Sequence, residues 1–505
     1  MEESRPEDRF RLFAAVCAFL LHLVGNPHYG FFRDELYFII CGQHPQWNYA
    51  DQPPVAPLLA AASQAFGPSL VSLRAVPAVF AGAGVYATCS LAIELGGGFY
   101  AQMISALAVF FTPVLTDFGM KVSPDMVGLW VWPMMALYVL RSTTGAWPRL
   151  WLAVGALMGL GLQSKYSVLF FATALVLGLL LTSNRHILFS PYFVMGCGIA
   201  ALIALPAFLW QAHYGFPMLE VLHNTRSGKN VMFGPAGYLL QQVLITGLLS
   251  WMWMIGLVWL LRRSTYRFLG FAFLILIAIM IVLQGKSYYP ANAYPVLIAA
   301  GGVAVEHWVR GLRFARLAVA GAVLALGMAT VPLVMPVLPE EVLVRYQDGL
   351  FSALHIPWES VASEHHFQPE LPSDFADMHG WPELASAVAQ VYQSLPSEER
   401  AQAVIAAQNY GEAAAIEFLG RPSPLPVISG HNQYFLWGPR GHSGNVLICV
   451  GDNCPSVAQV FQTCSQAATF SAPWIQPYER GIPILVCRGI KKPLAELWPA
   501  AKFYL

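Results

Sequence analysis

Runs of 17 or more residues, apolar and almost free of charge, recur along the first two-thirds of the chain. Such runs are long enough to cross about 30 Å of hydrocarbon as helices. The stretch 190–210, SPYFVMGCGIAALIALPAFLW, contains no charged residue at all. With no water in the bilayer core to satisfy backbone groups, apolar segments of this length are helical. The pattern predicts a polytopic α-helical membrane protein with about eleven spans, near 11–26, 68–94, 99–116, 124–141, 149–163, 166–183, 190–210, 239–261, 267–284, 290–306 and 316–337. The first run follows Arg5, Arg9 and Arg11 and lacks a small-residue cleavage site, so it reads as a span or uncleaved anchor. Charged residues make up 11% of the chain, where soluble domains carry about 25%. The 28 basic and 28 acidic residues cancel, and no basic field argues for nucleic acid as a partner.

Alternate connections differ in charge. One set carries Arg141 and Arg149, Arg185, then Arg262, Arg263 and Arg267, then Arg310, Arg313 and Arg316. The other set is poorer in basic residues and richer in His, Asp, Pro and aromatics. The positive-inside rule places the first set, and the N-terminus, in the cytoplasm. An odd number of spans then puts the C-terminal part on the outer side. That part, 339–505 after a transmembrane unit at 1–338, changes character. AVIAAQ, PLPVISG, NVLICVG and PILVCRG read as short buried strands, and WPELASAVAQVYQ and GEAAAIEFLG as helices, giving a small α/β domain. In an oxidising compartment Cys454 and Cys464 are the expected disulfide pair, with Cys449 and Cys487 as buried thiols in strands.

Chemistry is expected in the outer connections. The first, HYGFFRDELYFIICGQHPQWNYADQPPVAPLL, holds Arg33, Asp34, Glu35 and Asp51, and its apolar run Leu36–Ile40 suggests a helix along the interface. The second, TDFGMKVSPDMVGLW, places Asp125 after Pro124 at the start of the fourth span. Lys165 lies in GLQSKYSVLF, Lys286, Tyr288 and Tyr289 in QGKSYYPANAYP, and Arg226 with Lys229 in HNTRSGKN. Ionisable groups at membrane depth are functional candidates, yet each has a plain alternative. Asp34 and Glu35 can be an interfacial acid pair held by Arg33. Asp125 can serve the helix dipole, and Lys165 can snorkel to the surface. Lys286 can belong to a structured turn, and HNTRSGKN can be a solvated loop.

Taken together, RDELYF (33–38), DQPP (51–54), SPD (123–125), SKY (164–166) and GKSYYPANAYP (285–295) resemble the glycosyltransferase family 39 group, over roughly residues 10–310. These are relatives of protein O-mannosyltransferases and of bacterial aminoarabinose transferases, with the GT-C architecture. The resemblance implies a bacterial inner-membrane enzyme that moves a sugar from a polyprenyl-phosphate donor to a hydroxyl of a lipid, glycan or protein, on the outer face and with inversion. Such a reaction needs a carboxylate to take the acceptor proton and cations or hydroxyls to stabilise the departing phosphate. On that reading Asp34 is the base. Glu35, about 100° around a helix from it, positions the acceptor or Arg33, and Asp125 binds sugar hydroxyls or orients the acceptor. Lys165, Lys286, Tyr288, Tyr289 and Arg226 are candidates for the donor phosphate, and Arg33 and Asp51 for positioning acceptor or sugar.

Among cofactors, a divalent metal is the one left open. His28, His44, His213 and His223 are the candidates for a divalent metal, but none shows helical i, i+4 ligand spacing and no Cys-x-x-Cys is present. No G-x-x-x-x-G-K-[ST] loop is present either, which argues against ATP-driven transport by this chain. Two other classes stay open. A secondary transporter or lipid flippase would show matching Gly/Pro-broken helices in two halves, and a scaffold would not need its acids and lysines to converge.

Overall fold

A computed structural model describes residues 6–145, 147–228, 231–355, 370–421 and 424–505; Lys229 lies outside them. Each apolar run read from the sequence is helical within the described residues. Helices cover Pro6–Gly25, Leu70–Glu94, Phe99–Phe111 with Pro113–Met120, Gly128–Thr144, Leu150–Leu162, Val168–Leu180, Pro191–His213, Pro235–Thr246 with Ser250–Arg262, Arg267–Leu283, Tyr294–Trp308 and Arg313–Thr330. By length and composition, four of the described helices can cross a membrane alone, or five if the pair Phe99–Phe111 and Pro113–Met120, bent by 67°, counts as one span. Leu150–Leu162, Val168–Leu180 and Arg267–Leu283 are apolar but shorter. The protein is therefore a multi-pass membrane protein, with four or five of the eleven expected crossings met by length and composition among the described helices.

The outward faces are oily. Val194, Met195, Leu202, Leu205, Phe208 and Leu209 of Pro191–His213 are all exposed, as expected of a surface solvated by lipid. Inward faces use small residues to bring backbones together. Gly155 packs on the backbone of Gly196, and Gly256 on the carbonyl of Leu297.

The C-terminal region carries a five-stranded sheet. Its strands are β1 (Ala403–Ala407), β2 (Val427–Ile428), β3 (Val446–Val450), β4 (Phe461–Phe470) and β5 (Ile482–Ile490), in the order β2-β1-β3-β5-β4. β1 pairs in parallel with β2 and β3, while β5 runs antiparallel to β3 and β4. The four strands read from sequence are present. β4, FQTCSQAATF, was not legible, because it is an edge strand buried only at its two ends and lacks an apolar alternation. The expected Cys454–Cys464 disulfide is replaced by two others, Cys449–Cys454 and Cys464–Cys487. Sheet register is the reason for the second: Cys464 sits directly opposite Cys487 across β4 and β5. The short helix Cys454–Ala458 after β3 turns Cys454 back onto Cys449.

Helix Arg33–Gln43, expected along the interface, is enclosed by protein over most of its length. Glu35 through Cys41 are all buried, and the helix packs against both helix Val55–Ser63 and helix Tyr410–Leu419 of the C-terminal region. It thereby joins the helical bundle to the α/β region.

Candidate active site

Helix Arg33–Gln43 begins where Phe32 is extended, with Glu35 reaching back to accept from the Phe32 amide at 2.9 Å. Glu35 is fully buried beside Arg74, which is 1% exposed. The guanidinium donates to Glu35 from Nε at 3.3 Å and Nη2 at 3.1 Å. Its remaining donors go to the carbonyls of Asn26 (2.6 Å), His28 (3.0 Å) and Gly30 (2.8 Å), so all five N–H groups of the arginine are used. Glu35 also accepts from the Val122 amide at 3.0 Å. Its carboxylate is thus occupied with fixing the loop 26–30, its own helix and the segment carrying Asp125. The expected role beside the acceptor or Arg33 is corrected: its charge partner is Arg74.

Asp34, one residue earlier, faces the C-terminal region. Its Oδ1 accepts from the Tyr410 hydroxyl at 2.8 Å and lies 3.6 Å from Arg33 Nε, with a third of its side chain exposed. Arg33 reaches the Tyr478 hydroxyl at 2.5 Å and Asp377 at 3.6 Å. Asp51, expected to position substrate, is instead a joint. Its two oxygens accept from the Tyr37 hydroxyl at 2.9 Å and from Asn432 Nδ2 at 3.0 Å. Burial, opposed by these hydrogen bonds, lifts its carboxyl to about 6.

Asp125 is not in the first turn of a helix, which starts only at Gly128. SPDMV forms a tight turn closed by Met126 N–H to Ser123 and Gly128 N–H to Asp125. Asp125 Oδ2 pairs with Lys165 Nζ at 2.5 Å, while Oδ1 is buried without a hydrogen-bond partner among the described residues. Lys165 Nζ stands 4.8 Å from the centre of the Tyr288 ring and 4.7 Å from that of Tyr289. Lys286 Nζ is 5.9 Å from the Tyr288 ring on another approach. Asn292 Nδ2 donates to the Asp125 carbonyl at 3.1 Å. It packs so closely over Gly128 that a side chain there would displace it. Arg226 bonds to Gln284, two residues before Lys286, at an exposed rim.

The five sequence pieces therefore meet. Glu35 ties RDELYF to the SPD segment through Val122. SKY joins SPD through Lys165 and through Ser164 Oγ, which donates to the Pro124 carbonyl at 2.8 Å. GKSYYPANAYP joins both through its two tyrosines and Asn292. DQPP joins through Asp51 to Tyr37 and through the Val55 amide to the Gln163 carbonyl at 3.0 Å. The metal candidates do not assemble a ligand set: among the described residues no three His, Cys, Asp or Glu side chains gather. His28 bonds to the Gly25 carbonyl, His44 packs on Trp437 and His213 on Tyr214; His223 lies in helix Pro217–Gly228. Arg74 and Tyr410 were missed. A lone arginine in the first turns of an apolar run, after an upstream acid pair, was the available signal for Arg74; nothing local marked Tyr410.

Residues 51–210, about a third of the chain, match the family model described as dolichyl-phosphate-mannose-protein mannosyltransferase. The match includes DQPP, SPD and SKY, and leaves out RDELYF and GKSYYPANAYP. No curated protein sequence matches the chain. Among solved structures, ArnT from Cupriavidus metallidurans bound to undecaprenyl phosphate aligns over 95% of this chain and 98% of its own, at 14% identity and TM-score 0.60. The same protein in the apo state aligns equally widely with TM-score 0.61. The archaeal oligosaccharyltransferase AglB from Archaeoglobus fulgidus, in complex with an inhibitory peptide and a dolichol-phosphate, aligns over 90% of this chain and 71% of its own, at 12% identity and TM-score 0.50. The protein has the fold of the GT-C membrane glycosyltransferases, with a mannosyltransferase-like stretch at residues 51–210, in its N-terminal half.

Proposed function

We propose that this protein is a membrane glycosyltransferase that moves a sugar from a polyprenyl-phosphate donor to an acceptor hydroxyl, with inversion. The observation that carries the reading is the chain of contacts that joins the five pieces, from Glu35 to the Val122 amide, from Lys165 to Asp125 and the Tyr288 and Tyr289 rings, and from Tyr37 to Asp51, with the partly exposed carboxylate of Asp34 one residue before Glu35. In the proposed step the acceptor oxygen bonds to the anomeric carbon as its proton passes to Asp34. The bond from that carbon to the phosphate oxygen breaks, and the phosphate leaves with the electron pair. Cations and phenols beside that oxygen stabilise charge that grows as the bond breaks. The unpartnered Oδ1 of Asp125 suits a sugar hydroxyl, which would supply the donor it lacks. Arg226 sits at the rim and Arg33 behind Asp34. The relative that binds undecaprenyl phosphate is consistent with a lipid-linked donor.

The lipid phosphate gives a direct test. Lys286→Ala should weaken binding of polyprenyl phosphate by about tenfold or more, because a charge-assisted contact to an ionised oxygen is lost. Titration of the purified protein with the lipid measures it; unchanged affinity removes Lys286 from the donor site.

We further read residues 1–338 as the transferase unit and 339–505 as a domain on the outer face of a bacterial inner membrane, because basic connections alternate with acid- and His-rich ones. A fluorescent reporter that matures only in the cytoplasm, fused after Leu505, should stay dark. A bright signal reverses the orientation.

A further inference from the structure

The C-terminal region places a tyrosine hydroxyl on Asp34. Tyr410 opens helix Tyr410–Leu419, whose start is fixed by Asn409 accepting from the Glu412 amide at 2.9 Å and by Glu412 accepting from the Gln408 amide at 2.8 Å. Its ring is held on several sides. It stacks on Tyr37 with centres 4.5 Å apart, packs 4.8 Å from His431, and lies under the Arg33 guanidinium at 5.6 Å. The Tyr410 amide also meets His431 Nδ1 at 3.3 Å. A ring so confined has little freedom to turn, and its hydroxyl ends 2.8 Å from Asp34 Oδ1. Burial keeps this phenol well above its ordinary range, so at neutral pH it remains a hydrogen-bond donor.

We propose that Tyr410 is a positioning residue for transfer. It fixes the Asp34 carboxylate by engaging Oδ1 and so presents the exposed part of that group to the acceptor hydroxyl. The proposal rests on Asp34 being the base. A carboxylate free to rotate would spend less time aimed at the acceptor, and misplacement of a catalytic group slows chemistry far more than it weakens binding. The α/β region is then part of the enzyme's working site and not an appended module.

Tyr410→Phe in the full-length protein keeps the ring and its stacking and removes only the donor. Turnover with a polyprenyl-phosphate sugar should fall about tenfold in kcat while KM and the affinity for polyprenyl phosphate stay within about twofold. The melting temperature should stay near wild type, since Tyr37, Arg33 and His431 still contact the ring. A wild-type kcat overturns the proposal. A lowered melting temperature with kcat and KM changed together also overturns it, by making Tyr410 a structural contact. Asp34→Asn is measured alongside. If it is inactive and Tyr410→Phe is normal, only the positioning role falls; if Asp34→Asn is active, the assignment of the base falls and the positioning role with it.

Discussion

Asp34→Asn should reduce sugar transfer by a factor of about 10² to 10⁴, the usual loss when a general base is removed, while folding and lipid-phosphate binding stay near wild type. The amide keeps an oxygen to accept from the Tyr410 hydroxyl, now 2.8 Å from Oδ1, so the contact with the C-terminal region survives. It cannot take a proton at neutral pH. Rates of sugar appearance on the acceptor, followed by mass spectrometry, make the comparison. Activity within a few-fold of wild type would remove Asp34 as the base. If Asp125→Asn were then inactive, the base would be Asp125, although its pairing with Lys165 at 2.5 Å makes it the more confined of the two carboxylates.

Breaking the Arg74–Glu35 pair should have the largest effect on folding. Arg74→Ala leaves a buried carboxylate without its cation, the carbonyls of His28 and Gly30 without the guanidinium donor, and the Asn26 carbonyl with only the His28 amide. Glu35→Ala strands a buried guanidinium and the amides of Phe32 and Val122. Removing one partner of a buried pair costs about 3–5 kcal/mol, and here additional backbone groups lose their partners. Both variants should melt well below wild type in detergent, and far below an exposed control such as Lys491→Ala. Melting temperatures equal to wild type would mean that the pair does not hold the loop, the helix and the Asp125 segment together. Glu35→Gln, which keeps one acceptor oxygen, should fall between.

These two results separate neighbours that the sequence presents as a single acidic pair. RDELYF marks the place, and helical geometry sets Asp34 and Glu35 about 100° apart. Which of the two is buried depends on Arg74, 39 residues away, and on Tyr410, 376 residues away. Arg74 shows only as a lone arginine in an apolar run, and Tyr410 leaves no local trace. Long apolar runs were legible because a helix in lipid needs nothing beyond its own segment, whereas the number of crossings depends on bends such as that between Phe111 and Pro113. The four apolar strands were legible for a similar reason. β4 and the disulfides were not, because an exposed edge strand carries little apolar pattern and cysteine pairing follows the register of β4 on β5. Asp51 looked like a substrate ligand in DQPP, yet its partners Tyr37 and Asn432 lie on separate elements.

The central claim is a lipid-linked sugar donor, and release of the lipid phosphate tests it most directly. Purified protein in detergent or vesicles, given polyprenyl-phosphate sugars and an envelope lipid or glycan extract as acceptor, should liberate polyprenyl phosphate in step with sugar transfer. Nucleotide sugars alone should give no product. Transfer from a nucleotide sugar without any lipid carrier would contradict the account, and so would movement of the intact lipid-linked sugar across the bilayer with no bond broken.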